Sequence, residues 1–586
     1  MESSTYQKKF RTAKLMEYSK KTWTTLAFGL LLSMLAVLTD LAGPYIISKL
    51  LDGELVEGIG PKNPSFYFLL LGVFLVTIIL ASIFRYLNVY YFNKTANKVA
   101  MFMQEDVFRH VQKMPIPFFD KLPAGKVVSR ITNDTKDVRV LFQVVLSQLI
   151  TAFVYATGIF ISLALIDYKL ALMALVPMPF VAIIFVDFKN KSKKYNYAYR
   201  RYLSDLNANL NENIQGIEII HAFNREDRIY EEFDEVNNNV YKEGLNFTKL
   251  FAYSGFNAMG TLQFLSLAGA LLFFGYGSII KAYPVTVGML YIFIDYMTKI
   301  FDHLTNVVLR VGELEKARGA ADHVFELLHM EAIEYGGEKC DEINGVVDYN
   351  DVSFAYNDED YVLSNVSFKV NEGESAAFVG HTGSGKSTIM NLLLGYYKPQ
   401  SGSITIDGVD LNKVDLRELR KHMSIVLQDP YLFTGDLKSN ITLFDDSISD
   451  EDAEKALREV GGAGLLNKHS DGIKTEVKEK GSTFSAGERQ LISFARALVR
   501  DPKILVLDEA TSNIDSETEE FIQTGIERLK RGRTTFIIAH RLSTIKNVDT
   551  IYVLDKGRIV ESGSHDELIE KGGIYRRMYL AQSSKF

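Results

Sequence analysis

The run Gly380-His381-Thr382-Gly383-Ser384-Gly385-Lys386-Ser387-Thr388 reads G-x-x-x-x-G-K-S. An apolar strand, Ser375 to Val379, leads into it and an apolar helix follows, the context that marks a P-loop. Its glycines let backbone N–H groups turn toward phosphate oxygens, and the helix N-terminus adds partial positive charge. Lys386 can reach β- and γ-phosphates, and the Ser387 hydroxyl can bind Mg²⁺. A second apolar strand, Ile504-Leu505-Val506-Leu507, ends at Asp508-Glu509. Asp508 stands where a P-loop site needs a carboxylate in the Mg²⁺ shell, and Glu509 is placed to polarise an attacking water as general base. A solvated turn would explain an Asp-Glu pair alone; the P-loop upstream favours the catalytic reading.

These residues need a sheet to hold them. The segments Val346 to Tyr356 and Val362 to Val370 alternate at period two and predict a strand pair opening an α/β domain over 346–586. A linker over 326–345 precedes it. The first 325 residues differ in kind. Apolar runs cover Thr22 to Thr39, Phe66 to Phe84, Val140 to Ile166, Leu170 to Val186, Leu250 to Ile280 and Ala282 to Ile294. Most approach the ~20 residues that cross ~30 Å of hydrocarbon. The last is interrupted at Asp295 and resumes toward Val311. The reading is six transmembrane helices. Lysines and arginines gather before the first run (Lys8, Lys9, Arg11, Lys14), between runs two and three, and after run four, whereas the loop near Asp52 holds only Lys62. Positive charge marks the cytoplasmic side, so both termini are expected there and the chain is expected as a multi-pass protein of the cell membrane. The long basic stretches between runs two and three and between four and five are expected to continue as helix below the bilayer.

Composition supports the division. The 586 residues are 47% hydrophobic and 23% charged, and a mean hydropathy of +0.02 averages two unlike halves. With 30 Tyr, 38 Phe and the lone Cys340, neither a disordered chain nor a disulfide miniprotein fits. A formal charge of −7 gives no reason to expect nucleic acid.

With these motifs in place, the chain resembles an ATP-binding-cassette (ABC) exporter half-transporter over nearly its whole length. The resemblance implies a six-helix all-α membrane domain of the type I exporter fold, an α/β nucleotide domain, ATP and Mg²⁺ as ligands, and a second half-transporter as partner. It assigns further residues in family order. Tyr356 resembles the aromatic that stacks on adenine, and Gln428, in Leu427-Gln428-Asp429-Pro430, the Q-loop residue that touches Mg²⁺. Asp515 resembles the D-loop aspartate and His540 the switch histidine on the γ-phosphate. Phe118-Phe119-Asp120 with Gly125, and Gly216 through Glu226, resemble the two coupling loops that transmit closure.

One element departs from the family. The signature that usually reads Leu-Ser-Gly-Gly-Gln, and packs on ATP held by the other subunit, is Phe484-Ser485-Ala486-Gly487-Glu488 here. Ser485 and Gly487 keep part of the γ-phosphate cradle. Ala486 would be strained by roughly 1 kcal/mol if its φ were positive, and Glu488 places an anion near a triphosphate unless it points away. Full catalytic residues beside an altered signature suggest an asymmetric heterodimer, similar to the LmrD/BmrD/EfrD-type halves of multidrug exporters of Gram-positive bacteria. A homodimer that tolerates the altered signature is the alternative.

That likeness implies amphipathic drugs or dyes as cargo; a lipid, peptide or other endogenous compound, or an ATP-gated channel, are the other readings. Asp40 interrupts the first apolar run, and Asp295, Lys299 and Asp302 share a face of the sixth. A charge in hydrocarbon is costly, so these groups should face a cavity or each other. Asp40 and Asp295 are the candidate substrate residues; pairing of Asp295 with Lys299 at helical spacing is the plainer alternative.

Overall fold

The computed structural model describes residues 14–56, 60–61, 63–279, 286–333, 336–338, 342–357, 360–508, 516–539 and 545–583. Two compact units divide the chain. One comprises Met1–Met114 with Leu122–Ala332, the other Pro115–Lys121 with Ile333–Phe586.

The first unit is helical: α1 (Trp23–Lys49), α2 (Pro64–Val111), α3 (Ser147–Ile166), α4 (Met178–Gln215), α5 (Glu226–Leu250), α6 (Ala258–Ile279), α7 (Val287–Leu309) and α8 (Val311–His329). The 48 residues of α2 make it about 72 Å long, over twice the hydrocarbon thickness. It starts cleanly because Pro64 needs no amide partner and the Asn63 side chain accepts from Phe66 N–H at 3.4 Å. Helices α2 and α4, of 48 and 38 residues, are both longer than a bilayer crossing requires.

Among the described residues, five helical stretches are long and apolar enough to cross a membrane. The sixth expected span, Ala282 to Ile294 with its continuation toward Val311, coincides from Val287 on with α7, which is not among those five; residues 280–285 lie outside the described residues. Asp295, Lys299 and Asp302 set α7 apart from the five. Its apolar residues explain its place instead: Ile292, Tyr296 and Ile300, with Phe293, Met297 and Phe301, repeat every four residues and are buried. They share one core with Val37 and Leu41 of α1, Tyr155 and Ile159 of α3, and Phe274 of α6. Asp52, just beyond α1, caps α7: its carboxylate accepts from Gly288 N–H and from the Thr286 hydroxyl, both at 2.7 Å.

Among its described residues the second unit carries two larger sheets and a two-stranded one, Gly435–Asp436 with Glu476–Val477. Strands β1 (Val347–Ala355), β2 (Tyr361–Val370), β3 (Ser375–Gly380), β4 (Ser401–Ile406), β5 (Met423–Val426), β6 (Ile504–Asp508), β7 (Thr534–Ile538), β8 (Thr550–Asp555) and β9 (Arg558–Gly563) follow in order. The antiparallel sheet runs β2-β1-β4 and ends on the short strand Val409–Asp410; the larger runs β9-β8-β3-β7-β6-β5 and is parallel except at β9. Both faces of the parallel sheet are covered, hence the unbroken apolar runs of its central strands. Ala377, Val379, Leu505 and Leu507 pack in one core, while Ala376, Phe378, Ile504 and Val506 pack in the other. Helices α9 (Lys386–Leu393) and α10 (Ala486–Leu498) complete the frame of the site.

Candidate functional site

Parallel strands β5, β6, β7, β3 and β8 end along one edge, and the register aligns Asp508 with Ile538, Ile538 with Phe378, and Gly380 with Leu554. Loops leaving that edge gather residues far apart in sequence. From β3 comes the P-loop, from β5 comes Gln428, and Asp508 closes β6. Glu509, the loop to Asp515, and His540 just beyond β7 lie outside the described residues.

Within the P-loop, Gly385 caps α9 at φ 104°, and a Cβ there would stand 2.5 Å from Leu363 Cδ2. Glycine fits both demands. Lys386 is 5% exposed, and its Nζ donates to the carbonyls of Gly380 at 2.8 Å and His381 at 3.0 Å. His381, Thr382, Gly383 and Ser387 are exposed, whereas Ser384 and Thr388 are buried. Two observations fit a phosphate group here. Ser384 Oγ is buried without a hydrogen-bond partner, and Gly383 has open space where a side chain would stand. Ser387 and Gln428 are exposed and Asp508 is half-buried at the same strand edge, a hydroxyl, an amide oxygen and a carboxylate that suit Mg²⁺.

Tyr356 follows β1 and is 42% exposed. Its hydroxyl sits 3.2 Å from Thr388 Oγ1 and accepts from Asn391 Nδ2 at 3.2 Å. Tyr397 meets the Tyr356 ring edge-on at 5.0 Å, and its own hydroxyl donates to Asp120 on the short helix Ile116–Lys121. Burial, reinforced by that carboxylate, pushes the Tyr397 phenol above its ordinary range. The chain of contacts from Asp120 through Tyr397 to Tyr356 lies wholly within the second unit.

The altered signature forms the start of α10. Ser485 is the N-cap, and its hydroxyl accepts from Glu488 N–H at 3.2 Å while Glu488 Oε2 accepts from Ser485 N–H at 2.8 Å. This is a reciprocal capping box. Glu488 Oε1 also accepts from Lys468 Nζ at 2.7 Å. Ala486 occupies the first helical position, and it is not among the residues with positive φ. The strain considered for Ala486 is therefore absent, because the cap carries the chain into right-handed helix before the methyl meets any constraint. Desolvation would raise the Glu488 carboxyl, but the hydrogen bonds from Lys468 and Ser485 outweigh it and hold it below its ordinary value.

In the first unit the charged groups meet one another. Asp40 of α1 pairs with Arg85 of α2 at 3.2 Å and with Lys299 of α7 at 3.1 Å, and accepts from Tyr155 of α3 at 3.1 Å. Lys299 also pairs with Asp295 at 3.3 Å and donates to the Asp40 carbonyl at 3.1 Å. His303 stacks on Tyr155 with centroids 3.9 Å apart. Both carboxylates considered for substrate thus have cations as partners.

Sequence reading passed over Arg85, His303, Tyr397 and Lys468. Only Arg85 had a signal: it follows directly on the second apolar run, and Asp40 in the first needed a cation. The other three meet their partners through tertiary structure.

Residues 26–304 match the family described as ABC transporter transmembrane region, and residues 363–512 that described as ABC transporter. The chain is 45% identical over 550 residues to the "Probable multidrug resistance ABC transporter ATP-binding/permease protein YheH" of Bacillus subtilis (strain 168), covering 93% of this chain and 81% of that one. It is 40% identical over 510 residues to the "Putative ABC transporter ATP-binding protein exp8" of Streptococcus pneumoniae serotype 4, covering 86% of each. It is 30% identical over 569 residues to the "ATP-dependent lipid A-core flippase" of Pasteurella multocida (strain Pm70), covering 96% of this chain and 97% of that one. A solved bacterial Atm1-family ABC exporter with ATP bound shares the fold, with TM-score 0.80, 24% identity and coverage of 96% and 98%.

Proposed function

This chain belongs to the ABC transporters, as a membrane-spanning exporter with an ATPase domain, and from that premise we propose that it is one half of a heterodimer exporting amphipathic drugs or dyes. The P-loop amides and Lys386 bind and orient the β- and γ-phosphates of ATP. Ser387, Gln428 and Asp508 would hold Mg²⁺, which would supply charge neutralisation at the phosphate oxygens. Glu509 accepts the proton of the attacking water, His540 steadies the γ-phosphate, and Tyr356 stacks on adenine. Ser485 to Glu488 close over ATP held by the partner, with Asp515 beside that junction. Asp40 and Asp295 tune the polarity of the substrate path through their pairing with Lys299.

The observation that carries the ATPase reading is the shared strand edge, where the P-loop, Asp508 and Gln428 leave parallel strands of one sheet. For the heterodimer, support comes from Glu488 in place of a neutral glutamine. The relaxed backbone of Ala486 and the pairing of Glu488 with Lys468 favour a second reading, a homodimer whose signature still works. Purifying the chain alone and together with its candidate partner half separates the two. The heterodimer predicts weak ATPase from the chain alone and strong ATPase from the pair; strong turnover by the chain alone would establish the homodimer. Efflux assays over a dye, drug and lipid panel test the cargo, and export confined to lipid would overturn the multidrug reading.

A further inference from the structure

Glu488 is the one charge in the signature that sequence comparison makes awkward, and its side chain has a defined place. One carboxylate oxygen takes the Ser485 N–H and the other takes Lys468 Nζ, from the helix Ala463–Lys468 twenty positions upstream. The nearest alternative cation in sequence, Arg489, is engaged elsewhere: its Nη1 donates to the Phe484 carbonyl at 2.7 Å. The Lys468 side chain is 60% exposed and that of Glu488 19%, so this bridge contributes little to folding. Its electrostatic effect on a nearby polyanion is larger. An uncompensated carboxylate in the first turn of α10 would occupy the positive end of the helix, the same feature that makes such a terminus attractive to phosphate.

We infer that Lys468 is a positioning residue for the composite ATP site: it neutralises Glu488 and fixes it in the capping box, so that a signature carrying an anion still closes over a triphosphate on the opposing nucleotide domain. The inference deepens the proposed function and rests on its assignment of Ser485 to Glu488 to ATP held in trans. The effect of Lys468 passes through the charge and orientation of Glu488.

The test uses the full transporter in detergent or nanodiscs, with 8-azido-ATP photolabelling titrated against ATP and each subunit's label read separately. Lys468→Ala is expected to raise the ATP concentration for half-saturation of the site closed by this signature about tenfold, with the other site within twofold. The shift should shrink as salt is raised, because exposed charges are screened. Adding Glu488→Gln to Lys468→Ala should restore affinity, since glutamine keeps the capping box without the charge. An unchanged affinity in Lys468→Ala, or a shift that Glu488→Gln fails to rescue, would overturn the inference. Gly487→Asp separates this failure from that of the underlying reading. If Gly487→Asp abolishes labelling of the trans site while Lys468→Ala does nothing, only the counter-charge is wrong. If neither changes labelling, the signature does not face ATP and the functional reading falls with it.

Discussion

Lys386 is buried with its ammonium on two carbonyls of its own loop, so removing it disturbs both charge and loop geometry. Lys386→Ala is expected to lower ATPase turnover at least ~100-fold, the scale of deleting a charge clamp on a transferring phosphoryl group; turnover above a tenth of wild type would contradict that role. Tyr356 offers a finer probe. Stacking on a base is worth about 1–3 kcal/mol, so Tyr356→Ala should raise KM for ATP about tenfold or more, while Tyr356→Phe keeps the ring and should change KM less than threefold. Equal effects would mean that the hydroxyl contacts with Thr388 and Asn391 matter more than the ring. Glu488 sets a pH dependence. Its folded carboxyl lies below the ordinary 4.5, so its contribution is complete above that value and is lost as pH falls through the lower, folded value. Thermal unfolding from pH 7 to 3 should therefore show wild type losing at most about 1 kcal/mol more than Glu488→Gln. A larger loss on the glutamine side would reverse the sign.

Helices α1, α2, α3 and α7 are held to one another through charge as well as packing. Asp40 joins all four, by way of Arg85, Tyr155 and Lys299. Removing one partner of a largely buried pair costs up to about 3–5 kcal/mol, less where water reaches it, whereas removing both is milder. Lys299→Met leaves Asp295 without its cation and should lower the melting temperature in detergent more than the double variant Asp295→Asn with Lys299→Met, in which Asp40 keeps Arg85. If the double variant is the worse, an unbalanced carboxylate is not what the single variant suffers from. How much of this was legible follows from distance along the chain. The P-loop, its flanking strand and helix, and the strand ending at Asp508 are local, and period and glycine spacing carry them. The pairing of Asp295 with Lys299 is likewise one helical turn. Lys468 with Glu488 is not, nor is Asp120 with Tyr397, whose partners lie 277 residues apart. The backbone at Ala486 was legible only in part, since Ser485 and Glu488 spell a capping box that forecasts right-handed helix at the next position. The sixth expected span is the least legible for a physical reason: α7 buries one apolar face and also carries Asp295, Lys299 and Asp302, so hydropathy marks it weakly.

At the scale of the whole molecule, a helical unit with membrane-crossing stretches and a parallel-sheet ATPase unit belong to one chain, which makes ATP turnover and export parts of one cycle. On the proposed function, hydrolysis at this chain's own P-loop, with Glu509 as base, drives export. ATP-dependent accumulation of a fluorescent amphipathic dye in inside-out vesicles, holding the chain with its partner half, tests it most directly. Accumulation is expected with wild type, and its loss, to under a tenth, in Glu509→Gln at unchanged expression. Dye accumulation that persists undiminished in Glu509→Gln would contradict it.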